Sequence, residues 1–202
     1  MAGRSLETLI DDSWTVGLSA FVLQDEDAGD LEAGQEAEFV VVLTPAPAWT
    51  APVESDSTVS SRRLEANVRE FVGKLVSLGQ GSWVMDVGIL VWGDSDWPLV
   101  YSDREVGEVR IGDRFAGRGS LDAVAFTLPA GDSFRGIVPP RYTWQIDRIE
   151  LDMTPRIEDV PGSWIRDPQK VSYRRVERTG VWRDDEGHAD YLLHCTLVGT
   201  KA

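Results

Sequence analysis

The chain has 202 residues, of which 34 are acidic and 20 basic, so its formal net charge at pH 7 is −14. Its single cysteine, Cys195, excludes an intrachain disulfide and is typical of a protein from a reducing, cytoplasmic compartment. No stretch approaches the roughly 18 apolar residues of a membrane span, and the first residues lack the apolar core of a secretion signal.

The negative charge is concentrated at the start of the chain. Residues 1–60 contain twelve acidic residues and one basic residue, whereas residues 61–180 contain eighteen acidic and seventeen basic ones. An acidic surface repels nucleic-acid phosphates and attracts basic proteins. The composition therefore makes nucleic acid an unfavourable partner and predicts a protein partner, with residues 25–38 as a candidate surface for a basic one.

Two segments near the N-terminus have the alternating pattern of β-strands. In residues 14–23 and 35–44, apolar side chains recur at every second position, and acidic residues occupy the other face of the second segment. We expect a β-hairpin or meander here. Residues 45–61 follow as a proline- and serine-rich linker.

The segment after the linker fits two structures. Residues 62–78 carry apolar side chains at helical spacing, but Gly73 lies in the middle and the recurring valines favour extended structure. We predict a strand over residues 67–78 with a bend or bulge at Gly73, and a helix is the alternative. A turn then leads to a returning strand over residues 83–92.

Several more strands and a C-terminal hairpin are predicted downstream. In residues 142–153 the apolar positions change parity at Asp147–Arg148, which indicates a β-bulge. The other predicted strands are at residues 99–101, 106–111 and 121–128, and the hairpin combines residues 171–182 with 189–199.

This order of strands resembles an OB-fold, a small five-stranded β-barrel whose first strand bends at a glycine. The resemblance covers residues 67–78, 82–92, 109–119 and 142–151, and the phrase VRIGDRFAG is similar to a strand entry common in such barrels. Phrases such as WVMDVG and YTWQIDRIE also resemble soluble proteins of high-GC bacteria. Neither resemblance carries an activity with it.

The predicted fold is therefore all-β in three parts. Residues 1–60 form an acidic N-terminal β-meander with its linker, residues 61–155 form the OB-like five-stranded barrel, and residues 156–202 form a C-terminal β-hairpin that packs on the barrel.

The sequence WGDSDWP contains the best candidate binding residues: Trp92, Asp94, Asp96 and Trp97. Indole rings stack on sugars or anchor protein interfaces, and carboxylates accept hydrogen bonds from hydroxyl groups. The alternative is that both rings cover the end of the barrel.

OB-like barrels also suggest single-stranded nucleic-acid binding, in which bases stack on aromatic rings within a basic groove. Trp92, Trp97, Tyr101 and Phe115 are candidate rings, and several arginines accompany them. Carboxylates lie between these arginines and would repel phosphate, so this function is an alternative rather than the main prediction.

No catalytic or metal-binding motif is present. His188, His194 and Cys195 are the only histidine and cysteine residues, too few for a typical zinc site. His194 and Cys195 are neighbours in a strand, so their side chains point to opposite faces. We predict a non-catalytic binding or assembly module without a cofactor. The alternatives are a small-ligand or carbohydrate binder, a nucleic-acid binder, and an enzyme that uses carboxylates.

Overall fold

The computed structural model describes residues 13–25, 29–46, 51–79, 81–93, 109–124 and 137–200. In this part of the chain, the α-helix is α1 (Ala20–Asp25), and residues 184–187 form a 3-10 turn. The strands are β1 (Ser13–Ser19), β2 (Glu36–Pro45), β3 (Ala51–Val53), β4 (Ser60–Glu65), β5 (Val68–Leu78), β6 (Trp83–Asp86), β7 (Leu90–Gly93), β8 (Arg114–Val124), β9 (Arg141–Asp152), β10 (Arg156–Val160), β11 (Ser163–Arg166), β12 (Tyr173–Val176) and β13 (Asp190–Thr200).

Eight of these strands close into a barrel. Around the ring they follow the order β9, β13, β1, β8, β5, β6, β7, β2, and β2 pairs again with β9. β2 and β8 also pair with each other across the ring. The predicted all-β barrel is confirmed, but its predicted count of five strands is wrong, because β1, β2 and β13 from the ends of the chain complete the ring.

Strands that are neighbours in the sequence are often not neighbours in the sheet. β8 lies between β1 and β2, and β9 lies between β12 and β13, so the predicted N-terminal and C-terminal hairpins are wrong in their pairing. Alternation of apolar residues specifies the buried face of a strand but not its partner. The first predicted strand is also shorter than expected, since the chain turns into α1 after Ser19.

The ambiguous segment after the linker is a strand, as predicted. β5 pairs with β4, β6 and β8, and its register with β6 shifts between Leu75 and Ser77. At Gly73, an added Cβ would overlap the sulfur of Met85, so this inward position admits only glycine without a shift of its neighbours. The glycine therefore serves close packing inside the barrel.

The predicted returning strand over residues 83–92 is a tight hairpin of β6 and β7 instead. The turn between them contains Gly88, whose φ of +103° is readily adopted only by glycine. The N–H of Gly88 donates to a carboxylate oxygen of Asp86 at 2.9 Å. The sequence pattern did not predict this Asp-x-Gly turn, because apolar residues flank it on both sides.

The predicted β-bulge in β9 is confirmed. His194 of β13 pairs with Arg148, whereas the next residue, Cys195, pairs with Ile146, so Asp147 is the extra residue. The bulge explains why the buried positions of β9 change parity at this point.

A single hydrophobic core fills the barrel. It draws on all three predicted segments, with Trp14 and Phe39 from the first, Trp83 from the second and Tyr191 from the third. A second, smaller cluster lies on the opposite face of the sheet and contains Val40, Val84, Trp92 and Ile137. In the described residues no helix is long enough or apolar enough to cross a membrane.

Candidate functional site

Of the four predicted binding residues, the structure describes one. Trp92 is only 8% exposed and packs against Val40, Val84 and Ile137. Asp94, Asp96 and Trp97 lie outside the described residues. Trp92 therefore acts as a packing residue on the outer face of the barrel, and ligand binding by the rest of the loop stays a prediction.

The aromatic residues predicted to stack on nucleic-acid bases include two that are buried. Phe115 is fully buried in the barrel core, and Trp92 packs in the outer cluster. Neither ring presents the accessible face that base stacking requires. Trp97 and Tyr101 lie outside the described residues.

His194 and Cys195 face opposite sides of β13, as predicted. Cys195 is fully buried in the core, where burial raises the pKa of its thiol. Nε2 of His194 is 2.8 Å from a carboxylate oxygen of Glu150, and Nδ1 is 3.3 Å from the hydroxyl oxygen of Thr15. Thr15 is only 4% exposed, so this arrangement offers no nucleophile that a substrate can reach.

The exposed apolar side chains concentrate in one part of the chain. Of the fourteen large apolar side chains exposed among the described residues, eight lie between positions 153 and 182. Trp182 is 73% exposed and Trp164 is 63% exposed. The eight are Met153, Ile157, Val160, Trp164, Ile165, Val171, Tyr173 and Trp182.

The same segment is basic, although the chain as a whole is acidic. Residues 153–183 contain seven basic and four acidic residues, against a net charge of −14 for the full chain. We call the surface formed by residues 153–183 the basic–aromatic surface. It combines arginine, tryptophan and tyrosine, the residues most enriched at the energetic centres of protein interfaces.

The hairpin of β10 and β11 projects arginine and tryptophan to the same face. Arg156 pairs directly with Arg166, and Glu158 pairs with Trp164, so these four side chains share one side of the two-stranded sheet. Ile157 and Ile165, which pair between them, occupy the other side.

A pocket of about 450 Å³ opens beneath this hairpin. Four arginines and three aspartates line it, together with the end of β9. β10 and β11 supply two of the arginines, β12 the third, and the segment after Trp182 the fourth. The charged lining residues are Asp152, Arg156, Arg166, Arg174, Arg183, Asp184 and Asp185.

Two of the arginines are held firmly by carboxylates. Nη2 of Arg156 lies 2.9 Å from a carboxylate oxygen of Asp185. Nη2 of Arg166 lies 3.1 Å from Asp190 and 3.4 Å from the same oxygen of Asp185, and its Nε lies 3.7 Å from Asp152. These ion pairs fix the hairpin against the main sheet.

The other two arginines are less restrained. Arg183 makes one ion pair, with Asp30 at 3.7 Å, and its side chain is 66% exposed. Arg174 forms no ion pair with any residue that the structure describes, and it is exposed. The pocket therefore holds guanidinium groups whose hydrogen-bonding capacity is available to a ligand.

The turn after Trp182 has an unusual backbone. Asp185 and Glu186 have φ values of +47° and +56°, in the left-handed region that non-glycine residues seldom adopt. Tyr191 supports this turn by donating a hydrogen bond to Asp184 at 3.0 Å, and burial raises the pKa of its hydroxyl. Strained backbone of this kind clusters at functional sites, where surrounding contacts hold it in place.

The four arginines of the pocket suit it to hydrogen-bonding an anionic group. Arginine stays charged at all physiological pH values, so it donates hydrogen bonds and cannot act as a general base. Among the described residues no group of three or more histidine, cysteine, aspartate or glutamate side chains is arranged to hold a metal ion.

None of the residues that line this pocket is among the predicted binding residues. The predicted strands leave residues 154–170 unassigned, and the predicted C-terminal hairpin contains Arg174 and Trp182. The available signal was the local excess of basic residues, seven against four, in a chain that is otherwise strongly acidic.

Comparison of the chain with protein-family models, curated proteins and solved structures finds no significant match.

Proposed function

We propose that this protein is a non-catalytic binding module that recognises an acidic segment of a partner protein through its basic–aromatic surface. One observation carries the proposal: eight of the fourteen large apolar side chains exposed in the described part of the chain lie in a single segment, and that segment is also basic. Apolar patches rimmed by charge are typical of protein interaction sites.

The charge of the surface determines the kind of partner. The rest of the chain is strongly negative and repels acidic molecules at long range. Within a Debye length, about 8 Å at physiological salt, the local arginines dominate. Arg174 and Arg183 present guanidinium groups whose geometry matches carboxylates, so the surface favours glutamate and aspartate side chains.

The test is binding of labelled peptides, followed by fluorescence anisotropy. Random peptides rich in glutamate and aspartate are compared with lysine-rich peptides, a single-stranded oligonucleotide and a panel of oligosaccharides. We expect the acidic peptides to bind, and to bind more weakly as salt rises from about 0.1 M to about 1 M, where the Debye length falls from about 10 Å to about 3 Å.

Matched variants locate the binding surface. Trp164→Ala combined with Trp182→Ala should weaken acidic-peptide binding at least about tenfold, as expected for aromatic anchors. Ile111→Ala combined with Val198→Ala removes two other exposed apolar side chains outside this surface and should leave binding unchanged. Absence of acidic-peptide binding, or equal losses in both double variants, overturns the proposal. Selective binding of the lysine-rich peptide would instead favour residues 25–38 as the recognition surface.

A further inference from the structure

We infer that the partner's acidic segment binds as an added β-strand along the free edge of β12. This inference rests on the proposed function and states how the partner is held. The occupant is an extended peptide rich in glutamate or aspartate, and its backbone pairs with that of Tyr173 and Arg175.

β12 is the last strand at one end of the main sheet. It pairs with β9 through residues 173–176, and no described strand pairs with its outward side at Tyr173 or Arg175. Directly after β12 the chain is already paired with residues 31–33, where the N–H of Ala33 donates to the carbonyl oxygen of Glu177 at 2.8 Å, so the open edge is short. In such a strand, alternate residues direct their N–H and C=O groups to the unpaired edge. Edges of this type accept an additional strand from a partner.

The hydrogen bonds identify which residues face the open edge. The N–H of Met153 donates to the carbonyl oxygen of Ser172 at 2.9 Å, so Ser172 points toward β9. By alternation, Arg174 and Val176 also point toward β9, and Tyr173 and Arg175 present their backbone groups to the open edge.

The side chains of this edge select the chemistry of the added strand. Arg174 reaches the pocket and Arg175 lies on the opposite face, and neither forms an ion pair with a described residue. Two adjacent arginines repel a second copy of the same edge, as charged edge strands commonly do. They attract an acidic strand, whose alternating carboxylates project to one face and would meet the guanidinium group on that face.

The edge at the other end of the sheet lacks these features. β4 also contains two neighbouring arginines, but both are engaged within the protein. Nη2 of Arg62 lies 2.6 Å from Glu70, and Nε of Arg63 donates to the carbonyl oxygen of Ala66 at 3.0 Å. β12 is therefore the edge strand whose arginines form no ion pair with described residues, and β4 serves as an internal control.

Amide hydrogen exchange, followed by NMR on the full chain, tests the inference directly. The probe is a short peptide of alternating glutamate and valine. We expect its binding to slow exchange at the amides of Tyr173 and Arg175. Exchange at the amides of β4 should not change. A second measurement uses the same peptide with alternate backbone nitrogens methylated, in each of the two registers. Methylation in one register should weaken binding at least about tenfold, and methylation in the other should have little effect.

A pair of variants at one position separates the contribution of the backbone N–H to peptide binding from that of the side-chain charge. Arg175→Pro removes the outward N–H, whereas Arg175→Ala removes the guanidinium group and keeps the N–H. We expect the proline variant to bind the peptide much more weakly than the alanine variant.

The outcomes distinguish the two proposals. If acidic peptides bind in a Trp164- and Trp182-dependent way, but methylation has no effect and the β12 amides stay unprotected, strand addition is wrong and the proposed function stands. If no acidic peptide binds, the proposed function itself fails.

Discussion

At the scale of single residues, His194 is surrounded by groups that oppose one another. Glu150 accepts at 2.8 Å and favours the protonated ring, whereas Arg148, 3.0 Å from Nε2, and Arg63 disfavour it. Burial is the largest influence, and the net result is a pKa of His194 below its ordinary value of 6.5. His194 therefore resists protonation in the folded state.

The consequence is a loss of stability in acid. Below a pH of about 6.5 the unfolded chain binds a proton at His194 that the folded chain does not, so the free energy of unfolding falls as the pH is lowered further. We expect His194→Gln to reduce this pH dependence in urea unfolding measured from pH 7.5 to about pH 5. His188→Gln, at the exposed surface, is the control. Equal slopes for the two variants would contradict the assignment.

Residue-level prediction from the sequence succeeded where it needed only strand parity. The outward direction of His194 and the inward direction of Cys195 follow from alternation along one strand. The contact with Glu150 could not be foreseen, because it depends on the register between β13 and β9. The role of Arg174 needed the same long-range information, since its pocket is assembled from four separate segments.

At the scale of elements, a strand was predicted with the wrong extent where a turn within it went unrecognised. The run of residues 83–92 reads as one apolar strand, yet the backbone reverses at Gly88. The pattern Asp-x-Gly was the available signal, and the valine and isoleucine beside it obscured the turn. β5 was predicted correctly because Gly73 and its valines oppose a helix.

Gly88 is expected to be essential to the β6–β7 hairpin for conformational reasons. An added Cβ would meet the ring of Trp14 only at 3.8 Å, an ordinary contact, so space is available. The φ of +103° is the obstacle, and Gly88→Ala should lower the free energy of unfolding by at least about 1–2 kcal/mol. Gly199→Ala, with no atom within 4 Å of the new Cβ, should change it by less than about 0.5 kcal/mol. Similar losses in urea titrations of the two variants would refute this account.

At the scale of the whole molecule, the three predicted parts of the chain share a single hydrophobic core. The all-β class and the alternation of buried faces could be predicted from the sequence, because both are local properties. The number of barrel strands could not be, since ring closure pairs residues as distant as Trp14 and Cys195. The candidate pocket was missed for the same reason: its four arginines come from separate segments that only the fold brings together.

The shared core predicts that the protein unfolds in one step. A chain of 202 residues exceeds the length at which two-state unfolding is usual, about 150 residues, so length alone favours intermediates. However, β1 pairs along its full length with β13, and Leu18 packs in the same cluster as Trp83 and Tyr191. Loss of the N-terminal strand would therefore expose the interior of the whole barrel.

We expect Leu18→Ala to lower the stability of the entire molecule by about 2–5 kcal/mol, the cost of truncating a buried leucine. Urea unfolding followed by tryptophan fluorescence and by circular dichroism should give coincident curves that shift together. Leu64→Ala, at an exposed position of β4, should shift them by less than about 0.5 kcal/mol. A biphasic curve in which Leu18→Ala shifts only one phase would mean that the N-terminal segment unfolds separately, and it would contradict one-step unfolding. We expect no such curve, because removal of one strand would expose the core that all the barrel strands share.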